Sequence, residues 1–366
     1  MTQRLSTASG SDKSFRYIRV EKADDIPAPE QRYVDVAVLD MNHRWPNMGH
    51  DSIVNAICTL GSRILPASSA VSLRVLSFDV RASLVVPELP GDRFLLYLGT
   101  GGPGHLDPAE NNGTSLSSQG IREDSSWQKS IFALFDSIKA NPDAALIAVC
   151  HTFGVACRWS GVASPVLRGL DKGGKSSGVV ENVLTEAGMA HPWFRRFRQE
   201  LRDERHFRVI DSRLFDLIPE LHVSGSDAVA IAFESDSKHE PGEALTLVEF
   251  ARDRNGIMPR MLAVNFHPEI IDRAHAMDVL REKFGRGEVS LDWYHERATI
   301  LEAQLQDPVL EAALRLTSQF TFVFPLQYQL MRILRRRFEE LGVPSEIDQA
   351  VFLDDLMTRA RENIRV

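Results

Sequence analysis

The chain has 366 residues, 43% hydrophobic and 25% charged, the balance of a folded soluble protein with enough length for one large domain and a smaller one. The 42 basic against 50 acidic residues give a formal charge of −8 with no long basic block, which excludes the electrostatic footprint of a nucleic-acid binder. No apolar run approaches the ~20 residues of a membrane span, the N-terminus lacks a signal-peptide core, and Cys58, Cys150 and Cys157 are too irregularly spaced for a disulfide framework or a zinc site. The reading is of a cytoplasmic protein with reduced thiols.

In chain order, residues 1–32 are polar and aperiodic and are expected to form a flexible arm. The apolar, β-branched run VDVAVLD (34–40) predicts a strand, and GHDSIVNAICTLGS after it predicts a helix, because Ile53, Ile57 and Leu60 recur at helical spacing. SLRVLSFDV (72–80) and RFLLYLG (93–99) predict two further strands. A helix is expected over about 125–140, where Trp127, Ile131, Leu134, Phe135 and Ile138 share one side, and then a strand that ends at Cys150. Strands that are apolar throughout and alternate with helices indicate a parallel sheet covered on both faces. GLDKGGKSSG (169–178) reads as a mobile loop, and HPWFRRFRQELRDE as a solvated surface helix. Between 206 and 266, closely spaced strands with turn residues between them read as hairpins added to the sheet. After Phe284 the pattern is helical only, which predicts an all-helical C-terminal module; its Arg335–Arg336–Arg337 run reads as one wet face.

Three strands end in unusual sequences, and the carboxyl ends of strands are where ligands bind in an open α/β sheet. GTGGPG (99–104) formally matches a dinucleotide fingerprint through Gly99, Gly101 and Gly104. It follows the third strand and opens no helix, so the better reading is a turn whose backbone N–H groups face an anion. Cys150 stands at a strand-to-helix corner. Such a corner strains the nucleophile's backbone and needs small residues two before and two after, here Ala148 and the less comfortable Thr152; the helix dipole behind the sulfur favours thiolate. In NFHPE (265–269), Glu269 can return to the side of His267, fix its tautomer and leave the other ring nitrogen free to take a thiol proton. His43, His50 and His105 show no ligand spacing and read as loop or surface residues.

The order G-G-P-G, Cys, His-Pro-Glu resembles the class I glutamine amidotransferase family over residues 33–285. The resemblance implies an open, mostly parallel flavodoxin-like α/β sheet over 33–285, between the arm (1–32) and the helical extension (286–366). It implies Cys150 as nucleophile, His267 as general base and then acid, Glu269 orienting His267, and the N–H groups of Gly102 and His151 as oxyanion hole. Gly101, Gly104 and Ser224 would contact the substrate, a small-molecule amide such as glutamine or a γ-glutamyl relative. No cofactor or metal is expected. Ammonia, if transferred, would pass to a separate acceptor or synthetase protein. The chain departs from the family elbow, G-x-C-x-G-x-Q, at Ala148, Thr152 and Gly154, with His151 and Phe153 expected to crowd the entrance. Two alternatives stay open: an acyltransferase using the same three residues, and a scaffold or regulatory protein that has lost the activity.

Overall fold

Apolar runs separated by helices become the centre of one large sheet. The computed structural model describes residues 15–65, 68–169, 174–220 and 227–344. The elements are β1 (Phe15–Val20), β2 (Tyr33–Asp40), α1 (Met48–Ile64), β3 (Ser72–Asp79), the single turn α2 (Val80–Ser83), β4 (Phe94–Gly99), α3 (Ser126–Ala140), β5 (Ala145–Val149), α4 (His151–Ser160), β6 (Ala163–Leu167) and β7 (Ser176–Leu184). There follow α5 (Glu186–Ala190), α6 (Phe194–Glu200), β8 (His206–Arg213), β9 (Phe215–Pro219), β10 (Val229–Ser235), β11 (Pro241–Arg252), β12 (Pro259–Val264), α7 (Arg273–Gly285), α8 (Leu291–Gln306), α9 (Pro308–Ser318) and α10 (Phe324–Glu340).

Ten strands form one mixed sheet in the order β1-β3-β2-β4-β5-β12-β11-β10-β7-β8, and β6 pairs with β9 in a separate ribbon. Neighbours from β1 to β12 are parallel, and those from β12 to β8 antiparallel. The fold is therefore an open, mostly parallel sheet on its first side, with helices on both faces: α1 packs with α10 and α3 with α4. Register matters most for the site. Leu39 lies opposite Gly99, Gly99 opposite Ala148, and Val149 opposite Val264, so the segments leaving β2, β4, β5 and β12 emerge side by side at one end of the sheet. Among the described residues, no helix is long and apolar enough to cross a membrane.

Several expectations are corrected. The arm expected over 1–32 is not loose from Phe15 onward: FRYIRV is an edge strand, β1, parallel to β3, with Arg19 paired to Asp40. Its alternating charges suit an edge strand and mask it in the sequence. The chain after it is tied down by Arg93 and Arg74, which donate to the carbonyls of Pro27 and Ala28. Of the stretch read as a mobile loop, residues 170–173 lie outside the described residues, and Ser176 and Ser177 begin β7. This strand inserts between β10 and β8, and polar residues interrupt its SSGVVENVL run. The helix read as solvated is the short α6, and Trp193, Phe194 and Phe197 at its start are fully buried.

The helical C-terminus is present as α8, α9 and α10: α8 and α9 bury Leu301 and Leu314 in a second cluster with α7, while α10 lies against the sheet. Leu330, Leu334 and Phe338 of α10 belong to the same buried cluster as Val36, Leu98 and Ile147 of the sheet, and α10 contacts β2, β4, β5 and β12. The arginine run is not simply wet: Arg337 donates to the Gln31 and Asp92 carbonyls and Arg336 pairs with Glu340. Leu334→Ala should therefore destabilise the whole domain by about 2–5 kcal/mol. Urea unfolding should show one transition with a lower midpoint; a C-terminus melting alone, with the remainder unmoved, would contradict the shared core.

Candidate active site

Cys150 links β5 directly to α4 with φ 49° and ψ −101°, a left-handed conformation rare for a side-chain-bearing residue. The surroundings fix this backbone: its N–H donates to the Val264 carbonyl at 2.7 Å, and its carbonyl accepts from Gly154 N at 3.1 Å. Thr152 fits two positions on because Gly99 has no side chain; a methyl group there would overlap Thr152. The Thr152 hydroxyl donates to the Thr100 carbonyl at 2.8 Å. Phe153 is fully buried in the core and does not crowd an entrance.

β12 delivers the imidazole. The His267 N–H donates to the Ile210 carbonyl at 2.9 Å, and Nδ1 lies 2.8 Å from Glu269 Oε1. The ring lies beside the Cys150 side chain, both of them bordering Gly101. Burial alone would lower the His267 pKa; the hydrogen-bonded Glu269 carboxylate and the neighbouring Cys150 sulfur outweigh it and hold the ring well above its usual value. Sulfur, imidazole and carboxylate thus share one cluster, although Cys150 is remote in sequence from the other two. The pairing of β5 with β12 is what unites them. By contrast the Cys157 thiol, fully buried, is pushed well above the ordinary range by desolvation alone.

The loop after β4 closes the other side. A methyl group on Gly101 would stand 3.2 Å from His267 Cε1 and 3.7 Å from Cys150 Sγ, so the bare glycine borders the sulfur directly. The Thr100 hydroxyl donates to the Gly101 carbonyl at 2.8 Å and accepts from Met41 N at 2.9 Å, which fixes the peptide that carries the Gly102 N–H. Arg81, buried, donates to the carbonyls of Met41 and Pro103 and pairs with Glu123. Among the described residues, the N–H groups of Gly102 and His151 have no acceptor. The Gly104 N–H, in contrast, donates to Gln119 Oε1 at 2.7 Å and is not available to a ligand. The His151 ring is buried; desolvation first, then Arg81, holds its pKa well below the usual value, and the Gly102 backbone facing it works the other way.

Ser224 lies outside the described residues. His50, read as a loop or surface residue, is buried in α1 with Nε2 2.8 Å from Ser77 Oγ. Several residues at the site have no sequence signal of their own. Ser212 of β8 offers its carbonyl to Cys150 Sγ at 3.9 Å. Leu106 fills the space beside Gly154, where a side chain at 154 would collide with it, and Arg158 holds the Leu106 carbonyl at 2.8 Å. Thr100 and Arg81 are legible only once β2 and β4 are known to be neighbours.

No protein-family model and no curated protein sequence matches the chain. Solved structures similar to it include a glutamine amidotransferase from Thermotoga maritima, with 14% identity, 83% of this chain and 98% of that chain covered, and a TM-score of 0.42. They also include the CTPS glutaminase domain of Trypanosoma brucei with bound acivicin, with 13% identity, 65% and 87% covered, and a TM-score of 0.39.

Proposed function

We propose that the protein is a cysteine-dependent amidohydrolase or amidotransferase that cleaves glutamine or a γ-glutamyl-type amide through an acyl-enzyme thioester. The observation that carries this reading is the cluster of Cys150, His267 and Glu269 at a strained strand-to-helix corner, beside the N–H groups of Gly102 and His151, which lack acceptors among the described residues. Cys150 Sγ, its proton held on His267, attacks the carboxamide carbon, and the carbonyl oxygen becomes an oxyanion between the two N–H groups. The C–N bond then breaks, His267 passes its proton to the departing nitrogen, and ammonia leaves a thioester on Cys150. Water attacks the thioester, giving one proton to His267; the C–S bond breaks, the acid departs, and thiolate and imidazolium are restored. Glu269 keeps Nδ1 protonated and aimed, so the opposite nitrogen exchanges the proton.

The chain has glycine at 154, with Leu106 packed into the space a side chain there would take, so free glutamine and γ-glutamyl-type amides together form the panel to test. Ammonia released here would serve a separate synthetase. Incubation with glutamine and a series of γ-glutamyl amides, followed by intact-mass analysis, should reveal an acyl adduct on Cys150; no adduct and no ammonia from any of them would overturn the reading.

The pH profile follows from the raised His267 pKa. Leaving-group protonation needs the imidazolium, which persists below the folded pKa and is lost as pH rises through it. The alkaline limb of kcat/KM should therefore fall well above pH ~6.5, the ordinary histidine value. In Glu269→Gln the favourable charge is gone, and that limb should move to lower pH.

A further inference from the structure

We infer that Gly49, in the first turn of α1, is a positioning residue for the Cys150–His267–Glu269 cluster: the bare backbone at 49 makes the seat in which the Glu269 carboxylate is held against His267. A methyl group at position 49 would stand 2.5 Å from Glu269 Oε1, the same oxygen that lies 2.8 Å from His267 Nδ1. It would also stand 2.9 Å from Asn47 Oδ1, the N-cap that accepts from His50 N. Glu269 is buried, and its other oxygen, Oε2, has no hydrogen-bond partner among the described residues. The carboxylate is thus located by His267 on one side and by the start of a 17-residue helix on the other. The N-terminal end of a helix carries partial positive charge, which favours an anion lying against it.

The chemistry of the obstacle decides where a substitution would act. The nearest atoms to a side chain at 49 are the tips of two side chains, not backbone. Alanine also suits a helix better than glycine. Gly49→Ala should therefore leave the fold intact and relieve the overlap by displacing the Glu269 carboxylate from Nδ1, which weakens the imidazolium beside the sulfur. The sequence alone gives no hint of this, since Gly49 and Glu269 are brought together only by the parallel neighbours β2, β4, β5 and β12.

The inference rests on reading the three residues as one reactive unit, but not on the identity of the amide, so its test uses a substrate-free probe. Iodoacetamide alkylation of Cys150, located by peptide mass and followed against pH in the full chain, reads the unit directly. Glu269→Gln should slow the reaction at pH 6 by about tenfold, the equivalent of one pKa unit. Gly49→Ala should slow it similarly, and the double variant no further than Glu269→Gln alone, since both act on one carboxylate. As a structural control, Gly61→Ala, whose methyl would press on Leu73, should lower the melting temperature without moving the alkylation profile. If Glu269→Gln slows alkylation while Gly49→Ala leaves it unchanged, or if the single effects multiply in the double variant, the role of Gly49 is overturned and the reactive unit stands. If Glu269→Gln itself has no effect, both fall.

Discussion

Cys150→Ala is expected to abolish ammonia release from glutamine and γ-glutamyl amides, lowering kcat by about 10⁴-fold or more, while the protein stays folded. The loss is large because no other described thiol can take over: Cys157 is buried in the core with its pKa raised by desolvation, and Cys58 lies in α1. The stability change should be within about 1 kcal/mol. The backbone hydrogen bonds of residue 150, to Val264 and from Gly154, do not involve the side chain, and the sulfur's contact with the Ser212 carbonyl is long at 3.9 Å. Continuous ammonia detection with matched circular dichroism melting curves checks both halves. A Cys150→Ala protein that kept a tenth of the activity would remove the thioester route altogether, and a wild type inert toward every amide would leave the acyltransferase and scaffold readings.

The parallel half of the sheet is legible in the sequence because its strands carry unbroken apolar runs between amphipathic helices, as in VDVAVLD and ALIAV. The antiparallel half is less so. β7 mixes Ser, Gly, Glu and Asn into its run, and the edge strand β1 alternates arginine with aromatic and aliphatic residues. Both gain their stability from pairing partners distant in sequence, which local periodicity does not register. For the C-terminal helices the amphipathic pattern says only that one face is buried, not against what; α10 lays that face on the same sheet that holds β2. At the site, Cys150, His267 and Glu269 stand out because each follows a strand end with an abrupt change of chemistry. Their supports do not. Thr100, Arg81, Ser212 and Gly49 are ordinary residue types whose contacts with the cluster exist only after strand order and register are set. The elbow itself shows the same dependence: Thr152 is too large by local rules and fits because Gly99, on the neighbouring strand, is bare.

Thr100→Val is the second substitution expected to act strongly, with kcat lowered by about 10²–10³-fold, the usual result of losing one oxyanion donor. Thr100 is fully buried at the end of β4 and works through its hydroxyl, which donates to the Gly101 carbonyl at 2.8 Å and accepts from Met41 N at 2.9 Å. A peptide group is planar, so holding the Gly101 carbonyl in one direction sends the Gly102 N–H in the opposite one. Valine keeps the shape and removes both bonds. The peptide is then free to rotate, and the Met41 N–H is left buried without its acceptor, at a cost of about 1–3 kcal/mol. Thr100→Ser keeps the hydroxyl and should retain most of the activity, so the Val and Ser variants separate loss of the hydrogen bonds from loss of packing. Because a misdirected donor affects the tetrahedral intermediate more than the bound amide, kcat should fall while KM changes little. Steady-state kinetics on both variants, with urea unfolding to gauge stability, would decide it. Equal kcat in wild type and Thr100→Val would mean that the Gly102 N–H takes no part in stabilising the oxyanion, and that the donor must come from elsewhere at the corner, the His151 N–H at the start of α4 being the remaining group in place.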